Sequence, residues 1–219
     1  VDIYIRAKNA IGWSHSDTIT KTYNSSVPSP DYQWYCNETS GLTLADAGPS
    51  GNDATLSVDA STVTTTLLDS AALEFSGSQQ AALSTPVTLE DTFTVAYTVD
   101  PGANTTFFLG NASTGIAPTL SKTKFGLYWQ QDVIQFPAIF NLQSAHQATI
   151  VIYGRRARFY VNGEYQGEAA VVNGANPAQY ITISELGKGI GIFYTGSFRN
   201  IRIWQGVALD PNQINQLTP

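Results

Sequence analysis

Apolar and polar residues alternate along most of this 219-residue chain. In TFTVAYTV, Phe93, Val95, Tyr97 and Val99 fall on one side, and Thr92, Thr94, Ala96 and Thr98 on the other. A period of two marks a strand with one face in a core. ATIVIYG, ARFYVNG, YITISEL and NIRIWQG read the same way, and their Thr and aromatic content suits a pleated surface. Turn residues punctuate these runs. GRRA joins one pair of strands, and Asn162-Gly163 joins the next in the pairing most typical of a type I′ hairpin. Residues Thr149 to Glu168 are therefore expected to form a three-stranded antiparallel meander. Helical periodicity occurs at one place. In LDPNQINQL, Asp210 occupies the N-cap, Pro211 the first helical position, and Ile214 and Leu217 lie one turn apart on the inward side.

The first 23 residues, VDIYIRAKNAIGWSHSDTITKTY, read as two strands around a Gly-containing turn. The Ser/Pro cluster NSSVPSP follows, and residues 24–30 are expected to be a linker. Residues 31–219 then supply enough short strands for a two-sheet antiparallel sandwich with a short C-terminal helix. The pattern is all-β. Composition narrows the partners. Charged residues make up 13 % of the chain and the net charge is −6, which repels phosphate backbones and anionic membrane surfaces. Nucleic acid is excluded as a partner on this ground. No stretch approaches the ~18–20 apolar residues of a helical span, so membrane insertion is not expected. The single cysteine, Cys36, forms no intrachain disulfide and is read as a buried small hydrophobe. The chain opens at Val1, contains no methionine and shows no signal peptide, so it is expected to be a piece of a longer polypeptide.

Two resemblances rest on longer patterns. Tyr4-x-Arg6-x-x-Asn9-x-x-Gly12-x-Ser14 resembles the last two strands of a fibronectin type III domain. From Asp31 to Leu217 the chain resembles the laminin-G-like jelly rolls of the concanavalin A-like lectin/glucanase superfamily. The landmarks are WYCNETSGLTLADAGPSGNDATL, LEFSGSQQ, the strand at Thr92, RFYVNGEYQGE and GSFRNIRIWQGVALDPNQINQL, in that order. The order of the two resembles bacteriophage tail-tip and tail-fibre proteins. That resemblance implies a virion location, other tail subunits as partners and a homotrimer. The alternatives are a carbohydrate-binding module of a secreted bacterial protein, which is extracellular, and a purely structural virion domain.

Catalytic chemistry finds little support. Glycosidases need two carboxylates flanking the scissile bond. The superfamily's Glu-x-Asp-x-x-Glu string is absent. Glu90 and Asp91 are adjacent and point to opposite faces, whereas Glu164 and Glu168 are expected to share a face at a sheet end. Of the two histidines, His15 lies in the fibronectin-like stretch and His146 has no acid near it in sequence, and with one cysteine they cannot build a zinc site. The chain is read as non-enzymatic.

The stretch ADAGPSGNDATL, Ala45 to Leu56, raises the question of a metal. Its Asp46 and Asn52 are expected to form Asx turns with their own backbone. No cofactor is expected. Were calcium to bind as the resemblance implies, Gly77 and Asn200 would be its ligands, but Phe75-Ser76-Gly77 lacks the family's Asp, and Arg199 and Arg202 flank Asn200. Recognition residues are sought instead among aromatic and planar polar side chains, which hold sugars. In KFGLYWQQDVIQF, Phe125, Leu127 and Trp129 are assigned to the core. Tyr128, Gln130 and Gln131 are expected to line the concave sheet, with Asp132 at its rim. Arg155 and Arg156, in the GRRA turn, form a basic pair suited to a phosphate or carboxylate. The expected partner is a bacterial surface glycan or receptor.

Overall fold

The computed structural model describes residues 7–9, 12–14, 26–101, 108–121, 124–129, 132–137, 141–142, 144–154, 156–170, 181–190 and 192–218. Two eight-stranded antiparallel sheets face each other. In sheet I the order across the sheet is Asp132–Pro137, Lys124–Trp129, Gly115–Ser121, Leu109–Gly110, Ile181–Leu186, Ala81–Leu89, Ala54–Leu56 and Thr43–Leu44. In sheet II it is Glu164–Ala170, Arg156–Val161, His146–Tyr153, Phe93–Asp100, Thr195–Gln205, Ser70–Ser76 and Thr64–Leu67, with Tyr32–Trp34 pairing the later half of Thr195–Gln205. This is the expected jelly-roll sandwich.

Alternation builds the core. Phe93, Val95, Tyr97 and Val99 are all fully buried between the sheets, as the pattern of TFTVAYTV requires. Phe125 of sheet I stacks on Phe159 of sheet II at 4.3 Å between centroids, and Phe75 meets Phe198 edge to face at 4.8 Å. Each such side chain contributes about 1.5–3 kcal/mol by leaving water. The expected meander is present as His146–Tyr153, Arg156–Val161 and Glu164–Ala170. Asn162 and Gly163 have φ of 49° and 83°, the positive pair that a type I′ turn demands.

Sheet II is buried on its outer face as well. Ala96, Val151, Tyr160 and Trp204 project there and join Leu209, Ile214 and Leu217 in a second apolar cluster. The lid is the helix Pro211–Asn215. Asp210 accepts hydrogen bonds from the backbone of Asn212 and Gln213, while the Gln213 side chain accepts from the Asp210 N–H, a complete capping box. Thr94 fastens the approach to it, donating to Val207 O and accepting from Leu209 N. Of the expected linker 24–30, residues 26–30 are docked on the same cluster. Val27 packs against it, Pro28 O accepts from Trp204 Nε1 at 2.8 Å, and Ser26 O accepts from Gln213 Nε2. Upstream, Ala7–Asn9 and Gly12–Ser14 pair as a short hairpin, and the rest of residues 1–25 lies outside the described residues.

Two β-bulges interrupt sheet II. One doubles Gln166 into the pairing of Arg156–Val161 with Glu164–Ala170, where Phe159 faces Gly167 but Tyr160 faces Tyr165. The other lies at Asn200, whose φ is 52°. Each shifts the residues beyond it to the opposite face.

Candidate functional site: a tyrosine groove on the outer face of sheet II

The Ala45–Leu56 loop turns its acids on its own backbone. Asp46 Oδ1 accepts from Gln33 N at 2.7 Å and Gly48 N at 2.8 Å, and its Oδ2 accepts from Asn52 N at 2.8 Å. Asp53 Oδ1 accepts from Asp46 N at 2.8 Å. The Asp46–Gly48 bond is the expected Asx turn. Asn52 departs from expectation. Its side chain spans to the next strand, accepting from Thr85 N and donating to Thr85 O, while its carbonyl accepts from Trp34 Nε1. Gly48 is required by close approach, because a Cβ there would sit 2.6 Å from Asp31 O. Among the described residues no group of three or more His, Cys, Asp and Glu could hold an ion.

Gly77 and Asn200 are not brought together either. Gly77 follows Ser76, which pairs with Thr195, and Asn200 stands five residues further along that strand, roughly 16 Å away. Asn200 Oδ1 accepts from Gln33 Nε2 at 3.3 Å. Cys36 is fully buried, and burial, then the nearby Glu38, push its thiol well above the usual range, so it is not a nucleophile. His146 is also buried. Its Nδ1 lies 2.7 Å from Ser144 O, and burial lowers its pKa. His15 lies outside the described residues. The bulge at Gln166 corrects the reading of Glu164 and Glu168. Glu164 pairs with Val161, which faces the core side, and Glu168 with Arg158, which faces out, so the two carboxylates do not share a face.

The outer face carries a groove of about 370 Å³ lined by Arg158, Tyr160, Gly163, Tyr165, Glu168 and Pro211. Two strands, the hairpin turn between them and the helix build it. Tyr160 forms its floor, 3 % exposed, and meets Tyr165 edge to face at 5.5 Å. Tyr165 is 54 % exposed, so one ring surface is open to a ligand. Arg158 is locked on both sides. Its Nε donates to Glu168 Oε2 at 2.7 Å, and its Nη2 donates to the Tyr153 hydroxyl at 2.5 Å with the guanidinium 4.8 Å from the Tyr153 ring centroid. Arg156 Nη1 donates to the other oxygen of Glu168. The hydrogen bond from Arg158, then that from Arg156, hold the Glu168 carboxyl below its ordinary pKa. A carboxylate held ionised this way cannot serve as a general acid near neutral pH. It can accept hydroxyl protons, while Arg158 retains donors of its own. A second groove of about 190 Å³, along Thr62, Thr64, Glu74, Ser76 and Gln79, has no aromatic wall.

The expected recognition residues divide between the sheets. Tyr128 and Asp132 sit on neighbouring strands of sheet I, with Tyr128 opposite Val133 and Asp132 opposite Trp129. Gln130, Gln131 and Arg155 lie outside the described residues. Arg156 opens a strand of sheet II rather than occupying the turn, and the carboxylate it grips is the protein's own Glu168. Arg156 is therefore a supporting residue of the groove. Tyr153, Arg158, Tyr160 and Tyr165 escaped sequence reading, although the aromatic residues bracketing Arg158 and the Asn-Gly hairpin were visible in it.

No family model matches the chain, and no curated protein matches it in sequence. Solved structures do match in fold. Domain 4 of AbnA, a GH43 extracellular arabinanase from Geobacillus stearothermophilus solved with arabinotriose, aligns over 87 % of this chain and 98 % of its own, with a TM-score of 0.65 at 14 % identity. The sialidase of Trypanosoma rangeli aligns over 89 % of this chain, which spans 33 % of that enzyme's length, with a TM-score of 0.60 at 15 % identity. The binding domain of Paraclostridial Mosquitocidal Protein 1 aligns over 86 % of this chain and 51 % of its own, with a TM-score of 0.58 at 11 % identity. These likenesses establish the two-sheet jelly-roll sandwich fold of the chain.

Proposed function

We propose that this chain is a glycan-recognition module that binds saccharide in the Tyr160–Tyr165 groove without transforming it. The carrying observation is the convergence of an exposed tyrosine face with the fixed Arg158–Glu168 pair in one groove of ligand size. The ring supplies a platform for sugar C–H groups, and the ion pair supplies donors and acceptors for hydroxyls. An arabinanase domain solved with a trisaccharide and a toxin binding domain share the fold, which supports the reading.

The setting we propose is a bacteriophage tail tip or fibre, in which a homotrimer presents the module to a bacterial surface glycan. Its support is the order of a fibronectin-like hairpin before the jelly roll. A second setting, an extracellular module of a secreted protein, is favoured by the likeness to the arabinanase domain. Binding of the purified chain to a panel of bacterial surface glycans and plant polysaccharides, beside Tyr165→Ala, tests the function. Expected is selective, saturable binding that the variant loses. A folded protein that binds no glycan, or one whose binding survives Tyr165→Ala, refutes it. Light scattering separates trimer from monomer and so the two settings.

A further inference from the structure

The bulge at Asn200 has a second consequence on the outer face of sheet II. Arg199 pairs with Thr98 and Arg202 with Ala96, so these two arginines stand beside alternate residues of one strand. Ala96 belongs to the outer cluster, which fixes the face. In unbroken pairing, positions three apart point to opposite faces. With the bulge, the guanidiniums rise from the same face, their Cα atoms about 7 Å apart along the strand. Among the described residues neither has an acidic partner. Among them too, the Arg199 side chain makes no hydrogen bond, and Arg202 donates from Nη2 to Leu217 O at 3.3 Å and lies 5.7 Å from the Trp204 ring centroid. The Nε atoms of both are buried without a partner. Burial lowers the pKa of Arg202, against a smaller opposing pull from Tyr35. The remaining described arginines, Arg156 and Arg158, both pair with Glu168.

The neighbours on this face are equally specific. Gln33 pairs with Arg202 across the adjoining strand, and its Nε2 steadies Asn200. Tyr35, two residues on, accepts from Asn200 N through its carbonyl and is 48 % exposed. Two like charges, three residues apart in a chain of net charge −6, thus stand on one face with Nε donors that no described residue uses.

We propose that Arg199 and Arg202 form an oxyanion site that takes the carboxylate or sulfate of an acidic saccharide, with the Tyr35 ring beside it as a stacking surface. Two guanidiniums suit a single oxyanion, whereas a polyanion such as nucleic acid meets the repulsion of the acidic remainder. The site is separate from the tyrosine groove. Tyr160, Thr149, Ala96 and Arg202 are in register across four strands, which sets Arg202 about 14 Å from Tyr160.

The test follows the arginine Nε–Hε signals by nuclear magnetic resonance. The protein is titrated with a galacturonate trisaccharide, a sulfated galactose trisaccharide, an uncharged galactose trisaccharide and sodium chloride at matched ionic strength. Expected are saturable shifts of the Arg199 and Arg202 signals with an acidic trisaccharide, and none with the uncharged one. The arm that saturates names carboxylate or sulfate as the source. Arg199→Gln, which removes no side-chain hydrogen bond among the described residues, should weaken that binding roughly tenfold or more. Arginine shifts no larger than those in chloride, or an affinity unchanged in Arg199→Gln, overturn the proposal. Tyr165→Ala should leave the arginine titration intact, so failure of the groove and failure of this site are read separately.

Discussion

The loop around Asp46 permits a sharp stability test, because one carboxylate there does the work that a bound ion would otherwise do. Asp46→Ala removes the acceptor for three backbone N–H groups, those of Gln33, Gly48 and Asn52, at 2.7–2.8 Å. Hydrogen bonds to a charged acceptor contribute about 1.5–3 kcal/mol each. These three are part-buried, so water replaces some of what is lost, and a total near 3 kcal/mol is expected. Asp46→Asn keeps one oxygen. It can satisfy either Asn52 or the Gln33–Gly48 pair, and its NH₂ then opposes the other donors, for a loss of about 2 kcal/mol. At this chain length 1 kcal/mol moves the melting temperature by about 2–4 °C, so the alanine variant should melt roughly 6–12 °C lower. Urea denaturation monitored by tryptophan fluorescence measures both losses, with the denaturant slope unchanged. A loss under about 1 kcal/mol for Asp46→Ala would refute the bonding argument. A wild-type melting temperature that drops by many degrees in chelator would show that the loop holds an ion after all.

Other expectations are more quickly stated. Ile214→Ala opens the outer cluster under the helix and should cost about 2–4 kcal/mol, measured by denaturation, with faster hydrogen exchange at the Trp204 indole that donates to Pro28 O. Glu168 has a folded pKa below its ordinary value, so the stability it lends is present above the unfolded value and lost as pH falls through the folded one. Glycan affinity at the groove should therefore be flat from pH 8 down to the ordinary glutamate value of about 4.3 and fall only below it, and Glu168→Gln should lack the acid limb. His146 is likewise depressed by burial, so its contribution is complete above its ordinary value near 6.5 and is lost at lower pH as the folded value is crossed. A chemical-denaturation series between pH 7.5 and 5 should slope for wild type and flatten for His146→Phe.

The fold was legible because its determinants are local and periodic. Alternation located Phe93–Asp100 and the meander, Asn162-Gly163 located a hairpin, and Asp210 with Pro211 located the helix. The binding surface was not legible, for a reason visible in sheet II. Period-two reading assumes unbroken pairing, and both candidate sites lie at bulges. At Gln166 the bulge turns Tyr165 and Glu168 outward together beside Tyr160 and Arg158, where strict alternation would have kept Glu164 with Glu168. At Asn200 the bulge sets Arg199 beside Arg202, where alternation would have sent one into the core. Asn tolerates the left-handed conformation better than other side-chain-bearing residues, but no sequence rule separates it from the many Asn residues in ordinary turns. The same bulges also explain why these residues can be spared from the core. A bulge locally releases a strand from its ladder and re-aims its side chains, so charge can be placed on a strand whose neighbours remain fully buried. Phe198, Ile201 and Ile203 hold the strand in the sandwich while Arg199 and Arg202 leave it. Deleting Asn200 leaves Phe198, Arg199, Ile201 and Arg202 in plain alternation, with both arginines still on the outer face and the apolar residues still in the core. Such a variant should fold with its arginines in place, as should Asn200→Gly, which keeps the positive φ. If the deletion variant instead fails to fold, Asn200 is not a simple one-residue insertion in this strand.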